Sequence, residues 1–142
     1  MYFEKEAARL EELLTDSCDP ASLSALALAF VGDGVYDLMV RQTLVSRGNL
    51  PVDTLHREAV RLVRCQAQAD GVRKLLPLLE PEEEAVYKRG RNAHTNHIPK
   101  NASPADYHCA TGFEALIGYL YLKGRMERLR QIFVWMQENE AR

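Results

Sequence analysis

Covalent staples are nearly absent from this chain of 142 residues. Only three cysteines occur, Cys18, Cys65 and Cys109, and none belongs to a CxxC pair. Three thiols cannot all pair within one chain, so they read as reduced cysteines of a cytoplasmic protein. No apolar run is long enough to cross a membrane: the longest, Leu23 to Val35, is short and is interrupted by Asp33. The first residues, Met1-Tyr2-Phe3-Glu4-Lys5-Glu6, lack the basic and then apolar pattern of a secretory leader. No phosphate-binding glycine loop of the nucleotide enzymes is present. Repeats, low-complexity tracts and linker-like stretches are missing too, so residues 1–142 read as one domain. A dominant charge sign is also lacking, with 18 basic against 20 acidic side chains and a net charge of −2. That balance excludes a general polyanion binder and confines any nucleic-acid contact to a local patch.

What is present is ordinary globular material, 46% apolar and 27% charged. A chain of this length removes roughly two-thirds of its unfolded surface from water, enough for a core without metal or disulfide. The charges are segregated. Residues 1–40 hold two basic and eight acidic side chains, whereas residues 41–101 hold eleven basic and seven acidic ones. The apolar periodicity is helical almost throughout. It predicts helices over 4–14, over Leu23 to about Val45 with Gly48 as the stop, and from an Asp53 cap through Leu55, Ala59, Leu62 and Val63. A related segment carries Cys65, Ala69, Val72 and Leu76 up to Pro77. Pro81 followed by Glu82, Glu83 and Glu84 fits a helix start, with the acids facing its positive end. Residues 90–105 form the one long irregular loop, and helices over about 105–122 and 125–138 follow. No stretch alternates with period two. An all-α helical bundle is expected.

Two acids stand out because their surroundings belong in a core. Asp33 lies in Leu26-Ala27-Leu28-Ala29-Phe30-Val31-Gly32-Asp33-Gly34-Val35-Tyr36, where an isolated charge is costly unless paired, hydrogen-bonded or bound to a metal. Its flanking glycines admit a close approach by another backbone, a cation or a phosphate; the alternative is that Asp33-Gly34 is a turn. Glu114 is the single carboxylate in Ala110-Thr111-Gly112-Phe113-Glu114-Ala115-Leu116-Ile117-Gly118-Tyr119-Leu120. Two such acids on facing apolar helices would repel, and a divalent cation with hard oxygen ligands, magnesium or manganese, resolves the conflict. The alternative is a Glu114 that faces solvent or pairs with an arginine. Asp37, one turn beyond Asp33, reads as a surface acid.

The third feature is basic. Lys88, Arg89, Arg91 and Lys100, with His94 and His97, fall between residues 88 and 101 without one acid. Arginine and lysine there suit phosphates, and Asn92, Asn96 and Asn101 suit phosphate or sugar oxygens; the alternative is a solvated loop balancing Glu80, Glu82, Glu83 and Glu84. His94 and His97 have a spacing a metal can use, but nothing nearby completes a zinc set. His108-Cys109 is only superficially half of a thiol-protease pair.

Leu26 to Tyr36 resembles the signature helix of the ribonuclease III family, roughly Glu-Arg-Leu-Glu-Phe-Leu-Gly-Asp-Ala-Val-Leu. Thr111 to Leu122 is similar to the second catalytic segment of that family, Asp-x-Phe-Glu-Ala-Leu-Ile-Gly-Ala-x-Tyr-Leu. The two motifs occur in the right order, and the resemblance covers essentially the whole chain. It is closest to the short bacterial branch of the family, through segments such as Leu55-His56-Arg57, Arg89-Gly90-Arg91-Asn92 and Pro99-Lys100-Asn101. The sequence ends at Arg142, where a double-stranded-RNA-binding domain begins in full-length family members.

The resemblance implies a homodimeric, magnesium-dependent endoribonuclease acting on double-stranded RNA and leaving 5′ phosphates, with manganese able to substitute. Asp33 and Glu114 fall on the two family carboxylates tied to catalysis and metal binding. Ala29 and Thr111 stand where longer relatives carry a metal-binding Glu and Asp, and Leu26 replaces another signature Glu. Phe30 matches the aromatic residue that packs into the partner subunit across a two-fold axis. Arg89, Arg91, Asn92, Lys100 and Asn101 are the expected RNA contacts. The implied substrate is the precursor of the large-subunit (23S) ribosomal RNA, with a ribosomal protein or a pre-ribosomal particle as possible company. One rival is a catalytically silent RNA-binding or ribosome-assembly protein on the same fold, favoured by the acids lost at Ala29 and Thr111. A second, a helical metal phosphohydrolase of nucleotides, lacks a His-Asp pair.

Overall fold

Ser24 opens the longest helix of the structure, a computed structural model that describes residues 18–63, 65–93, 98, 100–101 and 103–139, with residues 65–67 as backbone only. The Ser24 hydroxyl accepts the Ala27 amide at 3.1 Å, and helix α1 runs unbroken over Ala25–Arg47 to Gly48. Asp33-Gly34 is therefore helical, and the turn alternative falls. Each glycine costs about 1 kcal/mol against alanine inside a helix, but Gly32 is where a neighbouring helix passes.

Helix α2 spans Val52–Leu62 and starts two residues earlier than an Asp53 cap implies. Pro51 holds the cap position without a side-chain bond, and Asp53 lies inside the first turn, where it faces the positive helix end instead of capping it. Helix α3 is Cys65–Leu75, ended by a single 3-10 turn over Leu76–Leu78 that contains Pro77. Helix α4 is Pro81–Arg91, so the expected loop begins at Asn92 and not at Gly90. Helix α5 is Pro104–Leu122, capped by the Ser103 hydroxyl, and helix α6 is Met126–Asn139. Between α5 and α6, Gly124 takes a φ of +74°, which side chains with a Cβ rarely adopt. No strand occurs among the described residues, as expected for an all-α chain. The helix expected over 4–14 lies outside them.

Helix α5 is the central element. Phe113, Leu116, Ile117 and Leu120 are fully shielded, with α1, α3, α4 and α6 packed around them. Helices α1 and α5 run antiparallel and touch main chain to main chain: Gly32 meets Glu114, and a Cβ added to Gly118 would stand 2.0 Å from the Leu28 carbonyl oxygen. One turn on, Tyr36 meets Phe113 and Phe133 edge-on at 5.3 and 5.5 Å. At the start of α4 the middle acid of the Glu82–Glu84 run turns inward. Buried Glu83 accepts the Glu80 amide at 2.9 Å and both arms of Arg128 from α6 at 2.7 and 2.8 Å. That bidentate pair closes the bundle.

Candidate active site

The α1–α5 contact brings Asp33 and Glu114 together. Asp33 follows Gly32 directly and is exposed, while Glu114 lends its own carbonyl to the Gly32 contact and is partly buried. Among the described residues, neither carboxylate has a hydrogen-bond or ion-pair partner. Burial, followed by the neighbouring Asp33 charge, pushes the Glu114 carboxyl up to about 8. Both alternatives for Glu114, a solvent-facing acid and an arginine pair, are thereby set aside. Such a pair is chemically uncompensated: two acids lie within each other's electrostatic reach, and no cationic side chain among the described residues is paired with either. The set fits a hard divalent cation that keeps most of its shell for water and substrate oxygens.

The other acids lie elsewhere. Asp37 pairs with Arg41 at 3.0 Å, and Asp106 with Arg73 at 2.6 Å. Among the described residues, no group of three His, Cys, Asp or Glu side chains gathers in a metal-binding arrangement. Ala29 is buried, and Thr111 is buried with its hydroxyl donating to the Tyr107 carbonyl at 3.0 Å, so the positions of the missing acids are closed by small residues. Cys109 receives the Tyr87 hydroxyl at 3.3 Å, and burial raises its thiol pKa, which removes it as a nucleophile.

Beside Asp33 the surface of α1 is open and apolar. Phe30, Val31, Gly34, Val35, Leu38 and Tyr121 line a shallow groove around it, and Phe30 itself is 82% exposed. Tyr121 is absent from the sequence-based candidates, although it lies seven residues after Glu114 and so on the same side of α5.

The basic candidates divide. Lys88 is held by Glu84 at 2.8 Å. Arg91 lies over the Tyr87 ring at 5.8 Å and donates to the Asn92 side-chain oxygen at 3.2 Å. Lys100 and Asn101 are exposed. Arg89 instead donates to the Leu23 carbonyl at 3.0 Å, at the foot of α1. His94 and His97 lie outside the described residues.

Residues 26–125 match the ribonuclease III domain, and the chain belongs to the ribonuclease III family. It is an endoribonuclease of that type, whose fold implies double-stranded RNA as the substrate class. Among its relatives is the Mini-ribonuclease 3 of Thermoanaerobacter sp. strain X514, 49% identical over 121 residues that cover 85% of this chain and 84% of the relative. The Mini-ribonuclease 3 of Symbiobacterium thermophilum is 47% identical over 114 residues, 80% of this chain and 88% of that one. A crystal structure of a Fusobacterium nucleatum protein superposes with a TM-score of 0.77 at 29% identity, covering 86% of this chain and 98% of the other. No helix among the described residues is long and apolar enough to cross a membrane.

Proposed function

We propose that this endoribonuclease cleaves double-stranded RNA with magnesium held between Asp33 and Glu114, working as a homodimer in the cytoplasm. The observation that carries this reading is the uncompensated carboxylate pair, set at an exposed edge where a bulky polyanion can reach it. Bound magnesium would activate water and stabilise the charge that develops on the scissile phosphate. Asp33, exposed beside the apolar groove, offers its oxygens where a duplex backbone passes. Glu114, held by the α5 backbone against Gly32, provides the less mobile side of the pair. In-line attack by water adds its oxygen to phosphorus, and the 3′ oxygen leaves with a proton. The products carry 5′-phosphate and 3′-hydroxyl ends.

Arg91 and Lys100 neutralise backbone phosphates, and Asn92 and Asn101 donate to phosphate or sugar oxygens; this is recognition of A-form shape and 2′-hydroxyls more than of base sequence. Phe30 sits next to the groove formed by Val31, Val35, Leu38 and Tyr121, so two copies related by a two-fold axis can each seat the ring of the other. That arrangement presents two equivalent carboxylate pairs to the two strands of a duplex. Precursor 23S ribosomal RNA, within a pre-ribosomal particle, is the natural substrate that the resemblance supports.

The test is incubation of the purified protein with an end-labelled RNA duplex, with and without magnesium. Cleavage by the wild type in magnesium alone, lost in Glu114→Gln and Asp33→Asn while duplex binding persists, supports the reading. Equal cleavage by Glu114→Gln contradicts it.

A further inference from the structure

Two neighbouring residues at the end of α4 bear on both acid-bearing helices: Gly90 touches α5 itself, and Arg89 touches the chain just ahead of α1. The Arg89 guanidinium donates to the Leu23 carbonyl at 3.0 Å, one residue before the Ser24 cap of α1. Gly90 presses on α5: a Cβ placed there would lie 2.8 Å from both the Gly112 Cα and the Ala115 Cβ, on either side of Glu114 in sequence. Gly112 returns the contact, since a Cβ on it would lie 2.7 Å from the Tyr87 carbonyl oxygen. The last turn of α4 is therefore registered against α5 and against the residue that leads into the α1 cap at once. Arg91 and Asn92, which follow immediately, project from that turn.

We infer that Arg89 is a positioning residue, and not a phosphate ligand: it ties the basic end of α4 to the foot of α1, so that bound duplex is presented to the Asp33–Glu114 pair in register. This inference rests on the double-stranded-RNA reading above. The chemistry separates Arg89 from its neighbours. A guanidinium committed to a main-chain carbonyl has fewer donors left for a phosphate fork, and moving it to RNA would release the contact. Arg91 has no such anchor, as its partners are the neighbouring Asn92 amide and a ring face. Register matters because small misplacements of a reacting group cost rate far out of proportion to binding.

The experiment compares Arg89→Ala with Arg91→Ala. Duplex affinity is measured at several salt concentrations in the Glu114→Gln background, where RNA stays intact. Single-turnover cleavage at saturating duplex is measured in the otherwise wild-type protein. A phosphate ligand contributes about one unit to the slope of log affinity against log salt. Arg89→Ala is expected to keep the wild-type slope and to lose tenfold or more in the saturating rate, whereas Arg91→Ala loses about one unit of slope. Arg89→Lys, which keeps a donor able to approach the carbonyl, recovers part of the rate. Amide hydrogen exchange supplies a readout independent of RNA: Arg89→Ala is expected to speed exchange in the first turn of α1 and the last turn of α4. A slope lowered by Arg89→Ala, or unchanged exchange at both helix ends, overturns the inference. A wild-type protein that leaves the duplex intact would instead refute the proposed function, while the exchange result still decides the role of Arg89.

Discussion

Gly32 sits directly on the main chain of Glu114: a Cβ built on Gly32 would stand 1.7 Å from the Glu114 carbonyl oxygen. The residue before one acid is thus in contact with the backbone of the other. Nothing bulkier than hydrogen fits between the two helices there, and that close approach brings Asp33 near enough for its charge to help raise the Glu114 carboxyl.

Substitutions at Gly34 of α1 and Gly118 of α5 should separate by site. Gly34 is helical and open, since a Cβ added there meets nothing within 4 Å. Gly34→Ala should raise stability by about 0.5–1 kcal/mol in urea unfolding, the gain expected from a less flexible unfolded chain. Gly118→Ala, whose Cβ would run into the Leu28 carbonyl, should lower it by about 3 kcal/mol. Equal effects at both sites would mean that the helices are not in main-chain contact.

The raised Glu114 carboxyl predicts two opposite pH trends. With a value of about 8 in the folded protein against an ordinary 4.5, Glu114 keeps a proton at neutral pH that the unfolded chain has released. The folded state binds more protons across that interval, so metal-free stability should fall as pH rises from about 5 to about 8 and then level off. Magnesium or manganese must displace that proton, so cation affinity should climb over the same interval. Urea unfolding in a chelator and cation titration calorimetry measure the two trends, and Glu114→Gln should flatten both.

The Glu83–Arg128 pair is a stability device remote from the candidate site. Arg128→Met strands a fully buried carboxylate and should cost about 3–5 kcal/mol in chemical unfolding. The double variant Glu83→Gln with Arg128→Met, which buries no charge, should recover much of that loss. A single variant as stable as the wild type would show that the pair is not needed.

Phe30→Asp should shift sedimentation toward a monomer, because it places a charge on an aromatic side chain that is 82% exposed beside an apolar groove. An unchanged dimer would remove Phe30 from the interface.

Much of this architecture is legible in the residues, and the reasons differ by element. α1, α5 and α6 announce themselves through apolar periodicity, with Gly48 as the stop of α1, whereas the Ser24 and Ser103 caps come to light only in the structure. The role of Gly32 is not legible, because a helix-breaking cost in sequence acquires its purpose only when α5 passes against it. Glu82, Glu83 and Glu84 are equivalent in the sequence. Successive helical residues point about 100° apart, and only the packed bundle shows that the middle one faces Arg128. Arg89 and Arg91 also look alike as a basic pair, and they separate only once Leu23 is placed beside one of them. The two acids of the candidate site were visible as charges in apolar runs, but their meeting depends on the antiparallel contact of two distant segments.

The most direct test of the central claim is a crystal of the protein soaked in manganese, with the anomalous signal recorded above the manganese edge. One peak is expected, bound by a carboxylate oxygen of Asp33 and one of Glu114, both at roughly 2.0–2.3 Å, with the rest of the shell made of water. A peak on only one of the two acids, or manganese bound elsewhere with the pair left bare, would contradict it.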